Sequence, residues 1–490
     1  MDTGKLVPVL VDEILPGDTV NLTTNLFGRL NTPLNPIMDN MFLDIHYFFV
    51  PCRLVWDNWE KFNGAQDNPG DSTDYLIPQI SAPSGGFAED SIYDHMGIPT
   101  KVENVSINAL PLRAYNLIYN EWYRDENLQD SYDVETDDGP DTSTQYQILT
   151  RGKRRDYFTS CLPFPQKGEE VTLPLGSAAP VVSDNGAIKF ASTVDSTSRS
   201  VYTYNSGTGG DRVGLISSPT ASGQAIWGDS TGLEADLSSA TAANINAIRE
   251  AFQLQKLYER DARGGTRYVE MVKSHFGVTI PDYRLQRPEL LHTNSAMVNI
   301  NPVAQTSESA TTPQGTLAAI GTVSSIGKRF VKSFVEHGYL IGIASFRADL
   351  NYQQGLDKMW SRSTRFDFYY PSLAHLGEQA VLNKEIYLQG NSADEEVFGY
   401  NERFSEYRFK NSMVTGEFRS NHTVSLDDWH LSQDFGSLPT LNDTFIQENP
   451  PINRVVAVPT APDFLLDCYF QYNHIRPMPT YAIPGYVDHF

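Results

Sequence analysis

Residues 41–50, MFLDIHYFFV, alternate in a way that only a strand can use. Met41, Leu43, Ile45, Tyr47 and Phe49 make one wholly apolar face, while Phe42, Asp44, His46 and Phe48 make a mixed one. This is a strand with one deeply buried face. On its N-terminal side Pro8, Pro16-Gly17, Pro33 and Pro36 recur, and Pro51 follows, too closely spaced for helices to survive between them. Extended segments joined by turns fit the gaps. At the far end Phe464, Leu466, Cys468, Phe470 and Tyr472 repeat the pattern. Opposite them stand Asp463, Asp467, Gln471 and Asn473, with Leu465 and Tyr469 mixed in. The expectation is a mainly β chain: one antiparallel sandwich whose first and last strands share a sheet and whose inter-strand connections have grown long.

Helices are expected inside those connections. One is read over residues 54–62 and another over 111–125, the latter with Leu112, Tyr115, Ile118, Tyr119 and Trp122 on one stripe. The clearest helical segment is 244–277. There Ile245, Ile248, Phe252 and Leu257 run at helical spacing to Gly264-Gly265, and a second helix follows over 267–276, stopped by Gly277. Residues 176–243 are dominated by Ser, Thr, Gly, Ala, Asn and Asp. Such a stretch buries little by itself, so it is either a weakly structured exposed insertion or one that orders against copies of itself. No repeat of fixed period is visible.

At 490 residues the chain could hold three ordinary domains of about 150 residues, or one large domain with insertions. With 40% hydrophobic, 11% aromatic and 20% charged residues it reads as globular. No apolar run approaches the roughly 18 residues that a spanning helix needs. Sixty acidic against 37 basic residues leave a net charge of −23, which excludes a protein that holds nucleic acid by a dominant basic surface. Cys52, Cys161 and Cys468 are far apart and odd in number, so neither a disulfide framework nor a cysteine zinc site is encoded. The opening MDTGKLVPVLVDE shows no targeting pattern.

Motifs of chemistry fail on context. Gly228-Asp-Ser-Thr-Gly232 matches the GxSxG nucleophile pattern but sits in the Ser/Gly-rich insertion, away from any strand-to-helix turn. GTVSSIGKR, 321–329, has five residues between its glycines where a phosphate loop has four, and Arg329 stands where a hydroxyl should meet magnesium. Around Asp133, Glu135, Asp137 and Asp138 a calcium loop would need its glycine one place earlier and a glutamate where Thr144 stands. Among ten histidines only His422 and His430 lie near one another, and sixty acids make carboxylate pairs inevitable. No catalytic, cofactor or metal-ligating residues are therefore assigned.

Between Glu121 and Asp141 nine acids face one arginine, the composition of a solvated loop. A basic knot follows: Arg151, Lys153, Arg154 and Arg155, with Tyr157 and Phe158 just beyond. Cations beside stackable rings suit single-stranded nucleic acid, and these four are the nucleic-acid-facing candidates. An ordinary salt-bridged turn is the plainer alternative, because four charges alone bind weakly and salt-sensitively.

Several segments resemble the major capsid protein of microviruses, in particular the gokushovirus branch. They are FFVPCRLVWDNWEKFNG (48–64), ARGGTRYVE (262–270), RLQRPE (284–289), FVEHGYLIGI (334–343), GYNERFSEYRFK (399–410), GEFRS (416–420), LDDWH (426–430) and RPMPTYAIPGYVDHF (476–490). They span nearly the whole chain in the family's order. The resemblance implies a non-enzymatic shell protein: a single domain over 1–490 with an eight-stranded antiparallel jelly roll and long insertions containing short helices. It further implies sixty copies in a small icosahedral bacteriophage virion, assembled in the host cytoplasm, around circular single-stranded DNA. Implied partners are other copies of the chain, the packaged DNA, a small basic DNA-packaging peptide, and pilot and minor virion proteins. A bacterial surface receptor would be met through 176–243, which takes the place of the family's threefold protrusion. Relatives of this kind carry residues ahead of the LVPVLVDE-like segment, so an N-terminal arm is expected to be missing here.

Two rivals from other classes fit the same scaffold. One is a carbohydrate-binding β-sandwich, the other an acid-pair glycoside hydrolase. A closed particle separates the shell protein from both.

Overall fold

The computed structural model describes residues 1–169, 171, 245–279 and 286–478, together with six short strands between 181 and 235. Two compact units emerge: Met1–Pro165 with Gly264–Phe490, and Gln166–Arg263.

The first unit is built on eight strands: β1 (Val7–Ile14), β2 (Thr19–Leu30), β3 (Met41–Pro51), β4 (Glu289–Met297), β5 (Asn299–Ala304), β6 (Leu317–Ser333), β7 (Gly338–Ala348) and β8 (Phe464–Ile475). They form two antiparallel four-stranded sheets, ordered β1-β7-β3-β4 and β5-β6-β2-β8. The chain changes sheet at five of the seven connections between these strands. Such crossing, with eight strands in two antiparallel sheets, fits the β-sandwich expected from the sequence. The inner faces meet in one core that takes Met41, Leu43, Ile45, Tyr47 and Phe49 from β3, Leu340, Ala344 and Phe346 from β7, and Val20, Leu22, Leu26 and Leu30 from β2. Phe346 and Phe464 stack across it with ring centroids 3.5 Å apart. Buried polar groups link the sheets as well: the Thr24 and Tyr47 hydroxyls share a 2.7 Å hydrogen bond, and the Asn294 amide donates to the Ser325 hydroxyl at 2.7 Å.

The other face of the β1-β7-β3-β4 sheet is also buried. Phe48, Val50, Tyr339, Ile341 and Ile343 pack under α1 (Leu110–Ile118) and around Trp56 and Leu6 in a second core. All eleven residues of β7 are therefore buried. Gly342 belongs to this strand because a Cβ there would stand 2.8 Å from the Tyr47 ring. By contrast β2 and β8 alternate, leaving Phe27, Leu465, Tyr469 and Ile475 exposed on the outer face of their sheet.

Several expectations are corrected. The first and last strands lie in different sheets: β1 pairs with β7, while β8 adds to the free side of β2. Pro8 cannot donate to a ladder, which suits β1 to an edge. The helix expected over 54–62 shrinks to Trp59–Phe62, and the one over 111–125 ends at Ile118 and passes into a wider π turn, Tyr119–Tyr123. GTVSSIGKR is part of β6, with an irregularity in pairing between Ser325 and Lys328 and a left-handed Gly327. The acids of 121–141 are only in part a solvated loop: Asp130, Asp133, Asp137 and Asp138 are exposed, but several of the nine hold other parts of the chain. Arg113, wholly buried, donates to Asp141 at 2.5 and 2.8 Å and to the Val55 and Asp137 carbonyls. Asp138 accepts from the Trp56 indole at 2.7 Å, and Arg267 is held by Glu121 and Glu126.

The expected helix pair is present as α2 (Ile245–Gly264), in the second unit, and α3 (Tyr268–Phe276), in the first. Gly277 ends α3 at φ +69, a left-handed position that glycine takes without steric cost. Within 176–243 only backbone strands are described. Ala225–Trp227, Lys189–Ser192, Ser198–Asn205 and Asp211–Leu215 make one antiparallel sheet, and Val181–Ser183 pairs with Leu233–Ala235. The GxSxG match at 228–232 lies outside the described residues. No helix among the described residues is long and apolar enough to cross a membrane.

Replacing Phe346 by Ala removes a ring held between the sheets. The expected loss is about 3–5 kcal/mol of unfolding free energy, read from chemical denaturation; an unchanged midpoint would contradict the core as described.

Candidate nucleic-acid interface

The basic knot is not a free turn. Residues 150–153 run as an extended strap between the N-terminal segment and residues 446–448. The Arg151 amide donates to the Gly4 carbonyl, Glu448 donates to the Arg151 carbonyl, and Lys153 donates to the Ile446 carbonyl, at 2.7 to 2.9 Å. Residues 446–448 come so close to the N-terminal segment that a Cβ on Gly4 would stand 2.1 Å from the Glu448 carbonyl oxygen, and Gly4 sits at φ +80. Only glycine meets both conditions.

The strap places its side chains by alternation. Arg151 reaches Asp44 of β3 at 2.8 Å, and the same carboxylate accepts from Arg347 of β7 at 2.7 Å and from the Ser295 hydroxyl of β4 at 2.6 Å. Burial alone would raise the Asp44 carboxyl, but Ser295, Arg151 and Arg347 together hold it below the ordinary carboxylate range. Lys153 lies 4.5 Å from the Phe445 ring centroid, and burial pushes its ammonium down despite Glu448 and Asp156 nearby. Arg154 and Arg155 turn to the surface, where Arg155 pairs with Asp125 at 2.8 Å and Arg154 lies 3.9 Å from Asp349. Three of the four candidates thus have an ion-pair partner in this chain, and the fourth is packed on a ring.

Tyr157 and Phe158, expected as stacking rings, are buried instead. They join Tyr352, Phe398 and Phe445 in a third core, and the Tyr157 hydroxyl donates to Glu385 at 2.7 Å. Other rings take their place. A cleft of about 290 Å³ is lined by His46, Phe48, Trp122, Tyr123, Arg151, Gly152, Lys153 and Leu290. Burial first, and then the Arg151 charge, depress His46 to about 4, so it is neutral at pH 7 beside the Tyr123 hydroxyl at 2.6 Å. The Trp122 indole donates to the Pro288 carbonyl at 3.0 Å, and the Arg287 guanidinium lies 5.3 Å from its ring. The cleft therefore joins two cations to aromatic faces, with a third cation over Trp122. Helical spacing put Trp122 on the apolar stripe of its helix, but the π turn after Ile118 rotates it outward, and nothing in the residue pattern announces that turn.

His430 Nε2 and His422 Nδ1 lie 2.6 and 2.9 Å from the carbonyl oxygens of Phe418 and Val424, so both are structural. Among the described residues no three His, Cys, Asp or Glu side chains are gathered to hold a metal ion.

Comparison with known proteins gives a concordant result along nearly the whole length. The family model described as capsid protein (F protein) matches residues 1–486. Capsid protein VP1 of Bdellovibrio phage phiMH2K is 54% identical over 511 residues, covering 100% of this chain and 94% of that protein. Capsid protein VP1 of Chlamydia phage 1 is 44% identical, covering 99% and 93%. Capsid protein VP1 of Spiroplasma virus 4 is 37% identical, covering 99% and 92%.

Asp44 is the acceptor that both arginines share, so Asp44→Asn leaves the largely buried Arg151 without its paired carboxylate and Arg347 with only Asp349, 3.8 Å away. About 3 kcal/mol of stability should be lost at pH 7. Because the folded-state value of Asp44 is depressed, its contribution is complete above the ordinary carboxylate value of about 3.9. It disappears as pH falls through the lower folded value. Unfolding of the two proteins across pH should show their difference shrinking in that acid range; a difference constant with pH would remove the carboxylate from this role.

Proposed function

The chain belongs to the phage capsid protein (F protein) family, and from that premise we propose that sixty copies of it close into a small icosahedral shell around a circular single-stranded DNA genome. The observation that carries the proposal is the match over residues 1–486, with relatives named capsid protein covered over more than nine-tenths of their lengths. The role is structural and asks no catalysis of the chain. Its place is the virion.

Net charge shapes the rest of the proposal. Copies carrying −23 each surround a polyanion, so packaging cannot rest on the shell's overall field. Moreover, many of the chain's arginines are already neutralised by its own acids, as at Asp44, Asp125, Asp141 and Glu121. A small basic peptide supplies the missing positive charge. The cleft around Trp122 is the local exception, where Lys153, packed on a ring and not paired with an acid among the described residues, meets a phosphate while a base stacks on the indole. Residues 176–243, in the second unit, form the outward protrusion that meets the bacterial surface.

Expressed as the full chain, the protein should give closed particles in negative stain and light scattering far above 55 kDa, while a persistent monomer would overturn the shell. Mass spectrometry of virions should find a short basic chain beside this one. Trp122→Ala should weaken binding of a short single-stranded oligonucleotide by about 1–3 kcal/mol, the usual value of one stacked base. Equal binding by the variant would exclude the cleft as a contact.

A further inference from the structure

Residues 357–410 carry an apolar surface that the sandwich does not use. Within this segment the strands Glu378–Leu382 and Val397–Glu402 pair and send Val381 and Phe398 into the third core, while Lys358–Trp360, Arg365–Asp367, Pro371–Leu373 and Ser405–Tyr407 are short turns. Five of its rings point outward: exposure is 71% for Trp360, 66% for Phe366, 51% for Phe368, 52% for Tyr369 and 55% for Tyr407.

Three of these rings, Phe368, Tyr369 and Tyr407, are tied together. Arg362 lies at the centre, its guanidinium 4.4 Å from the Tyr407 ring centroid and 5.5 Å from that of Phe368. It donates to the Tyr407 hydroxyl, to the Asp367 carbonyl at 2.7 Å and to Glu406 at 3.0 Å. Tyr369 packs edge-on against Phe404, 5.3 Å away, and against Tyr407 at 6.4 Å. Anchored rings lose little freedom on being covered, which favours their use in binding. Five rings of about 150–250 Å² each, more than half exposed, offer on the order of 600 Å² per copy. That reaches the top of the range for an ordinary monomer's largest apolar patch and approaches the roughly 800 Å² per partner of a stable interface.

The charges select the occupant. Arg362 is only 7% exposed and is matched by Glu406, which is 9% exposed. Lys358 is bound to Glu385 at 3.0 Å and Lys410 to Asp357 at 2.8 Å. A basic peptide would need free carboxylates, yet Glu406, Glu385 and Asp357 are paired and Asp367 accepts from the Ser363 and Thr364 amides. Of the cations at 358, 362, 365 and 410 only Arg365, 5.1 Å from the Tyr370 ring, has no carboxylate at ion-pair distance among the described residues, too few for a nucleic acid. What is left is apolar ring surface with fixed geometry, the character of the buried centre of an obligate protein interface. We propose that this ring patch, Trp360 to Tyr369 with Tyr407, is an interface between copies of this chain in the shell. The proposal rests on the shell reading above and names a surface by which the copies adhere.

The test compares the full chain with a Trp360→Ser, Phe366→Ser double variant, and with Leu76→Ser, which removes an exposed apolar side chain elsewhere. The double variant should fold with an unchanged unfolding midpoint yet yield about tenfold fewer particles by sedimentation, or none, while Leu76→Ser assembles normally. Hydrogen exchange on the unaltered chain supplies an independent readout, since amides over 358–370 should gain protection on assembly. Normal particle yield from a folded double variant overturns the interface, as does absence of that protection. Particles formed at full yield but lacking DNA would make the patch a nucleic-acid surface and overturn it too. Failure of the unaltered chain to form any particle would instead bring down the shell reading, and this inference with it.

Discussion

Double-sided burial of the β1-β7-β3-β4 sheet is the constraint from which the rest of the first unit follows. A sheet in a simple sandwich buries one face and wets the other. Here β7 buries every residue, so the chain must supply a second cover, and it does so with the long connection after β3. The apolar stripe of α1, together with Trp56, Phe87 and Leu149, is that cover. Long insertions are therefore not ornaments on the sandwich. Without them a face carrying Phe48, Ile341 and Ile343 would stand in water.

Polar groups fix how the cover sits. Arg113 and Asp141 pair with no solvent exposure to speak of, and Arg151 ties the end of the insertion to Asp44 on the sheet itself. Buried ion pairs contribute little net stability against an apolar alternative, because desolvation offsets most of the attraction. Breaking one is costly, however, so a misplaced insertion that strands Arg113 or Asp44 is penalised heavily. The acids that make the chain so negative are partly structural acceptors. Their charge is balanced locally, while the excess remains for the surface.

The strands nearest the ends were legible because period-two alternation survives without knowledge of partners. Alternation gives Met41–Val50 and Phe464–Tyr472 their inward faces, and helical spacing with its glycine stops gives α2 and α3 nearly their ends. Sheet membership is not legible: alternation states which residues face a core but not which neighbour donates the ladder, so the pattern puts the first and last strands in one sheet where the structure puts them in two. The candidate site shows the same divide. Arg151 and Lys153 do line a cleft, but the rings beside them are Trp122 and Phe48, not the sequence neighbours Tyr157 and Phe158.

By itself, then, the sequence determined that the chain is mainly β, that its connections are long, that its motifs of catalysis lack their context, and which family it resembles. Those properties are local or additive: side-chain alternation, composition, charge count and short motifs in order. Only the tertiary structure decided which sheet each strand joins, which acids neutralise which arginines, that Trp122 turns outward, and that the rings of 360–369 and 407 stay uncovered in one copy. Each of these depends on contacts between residues tens to hundreds of positions apart. No local pattern encodes them, because the free energy that selects them exists only once distant segments have been brought together and dried.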